Sequence, residues 1–344
     1  MGVSASLDVD VSLDADGRWG LICSVGTSAD GHRYFGYVAL TPHLTLAVTV
    51  TLSPLCPSIA MQFKLHLTTD LNVPVTAKAR ASESNVSITH ISTATAILTI
   101  DDINFLIDPA FDKSGDFVLG DVVLTRTADP ALGLENLPPI DAILLSHEDH
   151  VDNLDASGRT LLNGRHVFTT LDGAKNLAPR PGVRGLAPWQ STTLKLNGKE
   201  FKITATPTQH LPGGECVGFV LESPSFGVNE ADGLPNVVYV SGDTVHIPEL
   251  SEKLPKKYHT VVAIMNLGKA IAPLPTGPLQ ITMDGLQAAQ LTLDIGAEKM
   301  VPLHYESWKH FSQDVDRARE ELVAVKAKVV WAVPGEKTTI VEVL

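Results

Sequence analysis

The sequence predicts an α/β fold in which two β-sheets are covered by helices, and three observations carry that prediction. From about residue 84 onward, short apolar or alternating runs of strand length follow one another, stretches of helical spacing interrupt them, and strand-like runs then return. Strands that come in runs, instead of alternating one for one with helices, point away from a single doubly wound sheet. A chain of 344 residues, 44% hydrophobic and 19% charged, is long enough to bury such a core. No internal repeat or low-complexity tract competes with this reading.

The first 83 residues read differently. Between Tyr34 and Phe63 there is no Asp, Glu, Lys or Arg, and Pro42, Pro54 and Pro57 leave residues 44–52 as the one clean apolar run. That run has strand length and falls short of the ~20 apolar residues of a membrane helix. Residues 1–20 hold Asp8, Asp10, Asp14 and Asp16 with a single Arg18, unlike the basic start of a signal peptide. No membrane span and no standard targeting signal is expected. Residues 1–60 read as a poorly packed extension or an early start, so residues 1–83 are set apart from a catalytic domain at 84–344.

Within that domain, alternating or apolar runs predict strands at 86–91, 95–100 and 104–107, and a four-residue apolar run predicts one at 142–145. Helical spacing follows at 153–162. Further strands are predicted at 166–169, 192–196, 201–205, 216–221, 237–240, 261–264, 300–303, 329–332 and 339–343. Helices are predicted at 173–177, 283–293 and 312–326, the last with Val315, Ala318, Leu322 and Val325 on one face. Residues 181–182, 213–214 and 272–278 read as loops, and 272–278 as a rim over a site.

Composition narrows the function. The net charge of −13 repels phosphate backbones, which argues against nucleic acid as a partner. Cys23, Cys56 and Cys216 are odd in number and far apart, which fits neither a disulfide framework nor a paired-cysteine metal site and suits a reducing, cytoplasmic compartment. No phosphate loop, nucleophile elbow or dinucleotide fingerprint occurs. The sequon at Asn85 is set aside.

The twelve histidines are the unusual component. The strand at 142–145 runs directly into Ser146-His147-Glu148-Asp149-His150-Val151-Asp152-Asn153. A loop at a strand exit can aim several side chains at one point, and imidazole with carboxylate is a ligand set for zinc and related ions. An acidic helix start, with Asp149 or Asp152 as the cap and the histidines in solvent, explains this octet equally well. The pattern recurs, however. Strand 201–205 leads to His210, strand 237–240 to Ser241-Gly242-Asp243-Thr244, and strand 300–303 to His304.

This order of a His-rich loop, a His, a Gly-Asp-Thr and a His resembles the metallo-β-lactamase superfamily of metal-dependent hydrolases, over roughly residues 84–344. Ile107-Asp108-Pro109, Pro188-Trp189-Gln190 and Thr206-Pro207-Thr208-Gln209-His210 are most similar to the branch holding the ascorbate-6-phosphate lactonase and N-acylphosphatidylethanolamine phospholipase D types. The resemblance implies a four-layer αββα sandwich of two mixed β-sheets flanked by helices. It also implies one or two ions, zinc first with Mn or Fe as alternatives.

The first motif departs from the family's His-x-His-x-Asp-His. With one inserted residue, His147 and His150 match its first two histidines, Asp152 its aspartate, and Asn153 stands where a third histidine is usual. A second alignment pairs residues 147–150 with the later half of the motif and makes Asp149 a ligand. By resemblance, His147, His150 and His210 bind a first ion, Asp152 and His304 a second, and Asp243 bridges them. Bound water with a pKa near 7 then supplies hydroxide. Asp152 also orients that water or passes its proton on, and Asp108 steadies a ligand histidine or simply opens an Asp-Pro turn.

The implied reaction is hydrolysis of a small-molecule ester, lactone or amide. The alternatives are phosphodiester hydrolysis or a non-catalytic member whose second metal site has decayed. His90 and His246 read as structural histidines. Tyr305, Trp308 and His310 read either as pocket lining or as the packed face of a helix start.

Overall fold

The computed structural model describes residues 5–13, 19–27, 37–40, 84–120 and 122–342. The run at 44–52 lies outside them, as does the end of the strand predicted at 339–343. The chain divides into residues 1–78 and 79–344. In the first unit, β1 (Ala5–Leu13), β2 (Trp19–Thr27) and β3 (Tyr37–Leu40) form an antiparallel meander in the order β1-β2-β3.

The second unit holds the two large sheets. Its first half supplies β4 (Val86–Ser92), β5 (Thr95–Ile100), β6 (Ile103–Ile107), the small hairpin β7 (Gly115–Leu119) and β8 (Val122–Arg126), β9 (Ala142–Leu144), α1 (Ala156–Leu161), β10 (His166–Thr169), α2 (Leu171–Asn176) and β11 (Val183–Gly185). Then come β12 (Ser191–Leu196), β13 (Lys199–Thr206), β14 (Gly218–Glu222), β15 (Asn236–Val240), α3 (Pro248–Lys257) and β16 (His259–Asn266). The chain closes with β17 (Ile271–Leu274), β18 (Gly277–Gln280), α4 (Gly285–Asp294), β19 (Lys299–Leu303), α5 (Val315–Glu321) and β20 (Lys337–Val341).

Sheet one runs β11-β10-β9-β6-β5-β4-β20, parallel from β11 to β6 and antiparallel beyond. Sheet two runs β12-β13-β14-β15-β16-β19, antiparallel up to β15 and parallel after it. Both sheets are therefore mixed, and both are buried on two faces.

Successive side chains explain the layering. In β9, Ala142 and Leu144 face the space between the sheets, while Ile143 faces α1 and α2 with Leu154, Leu162 and Leu177. In β15, Val238 and Val240 face inward, while Val237 and Tyr239 meet Leu250 and Leu254 of α3 and Ala288 and Leu291 of α4. Helix, sheet, sheet and helix make four layers. Phe105 and Phe201 meet edge to face at 5.1 Å between the sheets, where truncating either would cost about 3–5 kcal/mol.

Several local readings are corrected. Residues 272–278 form the β17–β18 hairpin, not a loop. Residues 329–332 contribute one isolated bridge, Val329 to Met300, and no strand. The helix read at 312–326 is α5, capped by Asp314, followed by a 3-10 stretch at Leu322–Lys328. The segment between β19 and α5 is irregular, not the start of a helix. The β7–β8 hairpin and α3 were not predicted.

Candidate metal centre

The exits of β9, β13, β15, β16 and β19 lie along one edge of the paired sheets, because these strands run the same way within each sheet. Val217 N donates to the Ser146 carbonyl at 3.0 Å, which ties the β9 exit of sheet one to the approach to β14 in sheet two. The loops leaving these exits carry the residues singled out above.

His147, His150 and His210 come together, with one ring nitrogen of each within 4.8 Å of the others. His150 Nδ1 and His210 Nε2 are 3.2 Å apart. Among the described residues this is the tightest group of ligand-type side chains. The rest form a chain of pairs. Asp243 Oδ2 lies 3.9 Å from His147 Nε2, 4.0 Å from His210 Nε2 and 3.4 Å from His304 Nε2. Asp152 Oδ2 lies 3.4 Å from His304 Nε2 and 3.3 Å from His310 Nε2.

The histidine protons are placed by the other ring nitrogen. His304 Nδ1 donates to the Leu267 carbonyl at 3.1 Å and His210 Nδ1 to the Ile281 carbonyl at 2.8 Å. Ser146 Oγ donates to Asp108 Oδ2 at 2.8 Å, so it accepts from His147 Nδ1, also at 2.8 Å. All three rings thus carry Nδ1–H and turn Nε2, the atom a cation would take, toward Asp243. Nε2 of His147 and of His304 is buried without a hydrogen-bond partner. Lone pairs left orphaned around buried carboxylates are costly unless a cation fills the gap, and this donor set fits a metal ion.

Charge tells the same story. Burial lowers His147 well below its ordinary value, and His150 and His210 push it further. Burial lowers His210 too. His304 is pulled down by burial, but Asp243 and Asp152 outweigh this and lift it to about 9, so with no ion bound its Nε2 carries a proton that a cation would displace. Burial works to raise Asp152, yet the imidazoles of His304 and His310 facing it hold it well below the carboxylate range. Asp243 is likewise held down against burial by His304, His210 and His147. Both carboxylates are therefore anionic at neutral pH.

The backbone supports this placement. Gly242 sits at φ +59°, and a Cβ there would lie 2.5 Å from the Val217 carbonyl oxygen, so the Ser241-Gly242-Asp243 turn requires glycine. His304 has φ +61°, a conformation that costs about 1–2 kcal/mol. Its N–H donates to the Thr93 carbonyl at 2.8 Å, which helps hold it. Asn266, at the end of β16, donates to Asp243 Oδ1 at 2.7 Å and leaves Oδ2 free for the histidines.

The octet after β9 does not behave as a helix start. The cap of α1 is Asp155, whose side chain accepts from Gly158 N. Glu148 binds Arg159 and Asn176 on the helix side, and Asp149 is exposed. These two lie outside the cluster, whereas His147, His150 and Asp152 point into it. Asn153 donates to Asp108 Oδ2 at 3.1 Å instead of joining the cluster. Asp108 accepts three hydrogen bonds, two from Ser146, and burial raises it to about 7.

His246 pairs with Asp294 at 2.9 Å, outside the cluster. His90 is buried on β4 and bonds the Thr93 carbonyl. Sequence reasoning missed Asn266 and Ser146, and left His310 between two readings. Asn266 ends a strand as the ligands do and was legible on that ground.

A cavity of about 220 Å³ opens beside His210, lined by Leu171, Leu186, Pro188, Thr208, Glu215 and Val217 among others, with no Lys or Arg. A larger cleft of about 390 Å³ around Val228, Glu230 and Glu298 contains no histidine.

Comparison with known proteins agrees with the architecture. The family described as Beta-lactamase superfamily domain matches residues 103–305. A metal-dependent hydrolase of Thermococcus onnurineus is 28% identical over 68% of this chain and 97% of its own length. An N-acyl-phosphatidylethanolamine-hydrolyzing phospholipase D of Caenorhabditis elegans is 29% identical over 40% of this chain and 41% of its own. Among solved structures, an isothiocyanate hydrolase from Delia radicum gut bacteria superposes with a TM-score of 0.59 at 20% identity, covering 73% of this chain and 98% of that one.

Proposed function

Because the chain belongs to the metallo-β-lactamase superfamily and is a metal-dependent hydrolase, we propose that it cleaves a small neutral ester, lactone or amide at the cluster of His147, His150, Asp152, His210, Asp243 and His304. The observation that carries this reading is the convergence of histidine Nε2 atoms on Asp243 from strand exits far apart in the chain. His147, His150 and His210 would hold a first ion and Asp152 and His304 a second, with Asp243 serving both. Ions bound there lower the pKa of water toward about 7 and polarise the carbonyl under attack. Imidazole with carboxylate suits zinc first, with Mn or Fe as alternatives.

The protein's own groups do the rest. Asp152 Oδ2, anionic at neutral pH, orients the attacking water and passes its proton to the leaving atom. The Asp108, Ser146 and His147 relay fixes the ring that faces Asp243. The cavity beside His210 offers apolar walls and Glu215 but no cationic side chain, which favours a neutral substrate over a phosphodiester. We assign this activity to residues 84–344 and treat the preceding strands as an extension. The free thiol of Cys216 accords with a reducing, cytoplasmic compartment. No described helix is long and apolar enough to cross a membrane.

Elemental analysis of the purified protein, together with a panel of esters, lactones, amides and phosphodiesters, tests the reading. Stoichiometric metal and turnover of a neutral substrate are expected, with both lost in Asp243→Ala and His210→Ala. Protein without stoichiometric metal, or variants that keep wild-type metal content and hydrolysis, would overturn it. A preference for phosphodiesters would overturn the substrate class.

A further inference from the structure

We propose that His310 is a ligand of the second ion, supplying from the β19–α5 segment the donor that Asn153 does not provide. The inference rests on the metal centre proposed above. Asn153 is fully buried and spends its amide on Asp108. His310 Nε2 stands 3.3 Å from Asp152 Oδ2, and His304 Nε2 stands 3.4 Å from the same oxygen. Ligands of a tetrahedral ion with bonds of about 2.1 Å are separated by about 3.4 Å. Each imidazole is therefore spaced from the carboxylate as a co-ligand would be.

Residue 310 reaches this place through two left-handed residues, His304 at φ +61° and Ser307 at φ +76°, which turn the chain back over the cluster. The loop is anchored. Trp308 Nε1 donates to Thr93 Oγ1 at 3.0 Å, and the His310 ring packs against Phe311 at 4.6 Å and Trp308 at 5.7 Å. Apart from Asp152, no charged group pairs with His310 among the described residues, and its buried Nδ1 has no hydrogen-bond partner. Without His310, the second ion has Asp152, His304 and a share of Asp243. With it, four protein donors would be available to the ion, and the loss of the usual histidine at position 153 would be compensated from elsewhere in the chain.

The test compares wild type, His310→Gln and His310→Cys after chelator stripping, each titrated with Co²⁺ and followed by calorimetry and absorption. Glutamine keeps a hydrogen-bond donor for Asp152 but is a poor metal ligand, whereas cysteine brings a thiolate. The expected result is two ions in wild type. His310→Gln retains the first at unchanged affinity and holds the second at least about 100-fold more weakly. His310→Cys binds two and shows a cobalt–thiolate charge-transfer band. Two ions at wild-type affinity in His310→Gln, a second ion in His310→Cys without that band, or a single ion in both wild type and His310→Gln each overturn the role of His310 and leave the first site standing. Wild type that takes up no ion overturns the metal centre itself.

Discussion

Acidifying the protein should destabilise it through His90, a residue that touches no substrate. His90 has no exposed surface, and burial lowers it to about 4 from an ordinary value of 6.5. Its Nε2 donates to the Thr93 carbonyl at 3.1 Å, and its other nitrogen lies 3.8 Å from Glu306, too far for a hydrogen bond. The folded protein therefore keeps this ring neutral where the unfolded chain protonates it. Between pH 6.5 and 4 the unfolded state holds the extra proton, so stability falls as pH falls through that window. At 1.36 kcal/mol per pH unit the full amplitude is about 3 kcal/mol, of which about 2 kcal/mol is lost between pH 7 and pH 5. Asp108, raised to about 7, acts in the opposite direction, losing stability as pH rises, so the effect must be read as a difference. His90→Gln keeps a donor for Thr93 and cannot titrate. Urea unfolding of both proteins with chelator present, at pH 7 and pH 5, should show wild type losing about 2 kcal/mol more than the variant. Parallel losses, within about 0.5 kcal/mol, would refute the assignment of a buried neutral His90. The Thr93 carbonyl also accepts from His304 N, so the same protonation should loosen the loop that carries His304.

Two further outcomes are expected. In Asp108→Asn an amide group must face donors from Ser146 or Asn153, at a cost of about 2–4 kcal/mol; chemical denaturation measures the loss, and calorimetric metal titration should show weaker binding at the first site because His147 loses its fixed tautomer. Gly242→Ala forces a left-handed alanine against the Val217 carbonyl, costing at least about 1–2 kcal/mol by thermal melting, and it should lower metal content by displacing Asp243; unchanged melting would contradict the turn geometry.

The ligand-bearing strand exits were legible because two properties coincide there. A buried strand announces itself as an apolar run, and the first polar residues after it are held at the sheet edge. His147, His210, Asp243 and His304 all follow such runs. His310 does not, since its position depends on left-handed turns at His304 and Ser307 that no periodicity encodes. The hairpin at 272–278 was hidden by Pro273, Pro275 and Pro278, which look like a loop but are tolerated in a two-stranded ribbon. Helix α3 was masked in the same way, with Pro248 opening it and Pro255 in its last turn. The β7–β8 hairpin exposes Val118, Val122 and Val123, so no buried face marks it in the sequence.

The donors around Asp243 come from both sheets: His147, His150 and Asp152 from the exit of one, His210, Asp243 and His304 from exits of the other. A cation held there is then a rivet between two halves of the domain, and it ties affinity to the docking of one sheet on the other. Its binding energy adds to folding only once the sheets have met. Neither half of the sandwich alone can assemble the cluster, so metal uptake during refolding becomes a clock for the last assembly step, after each sheet has formed.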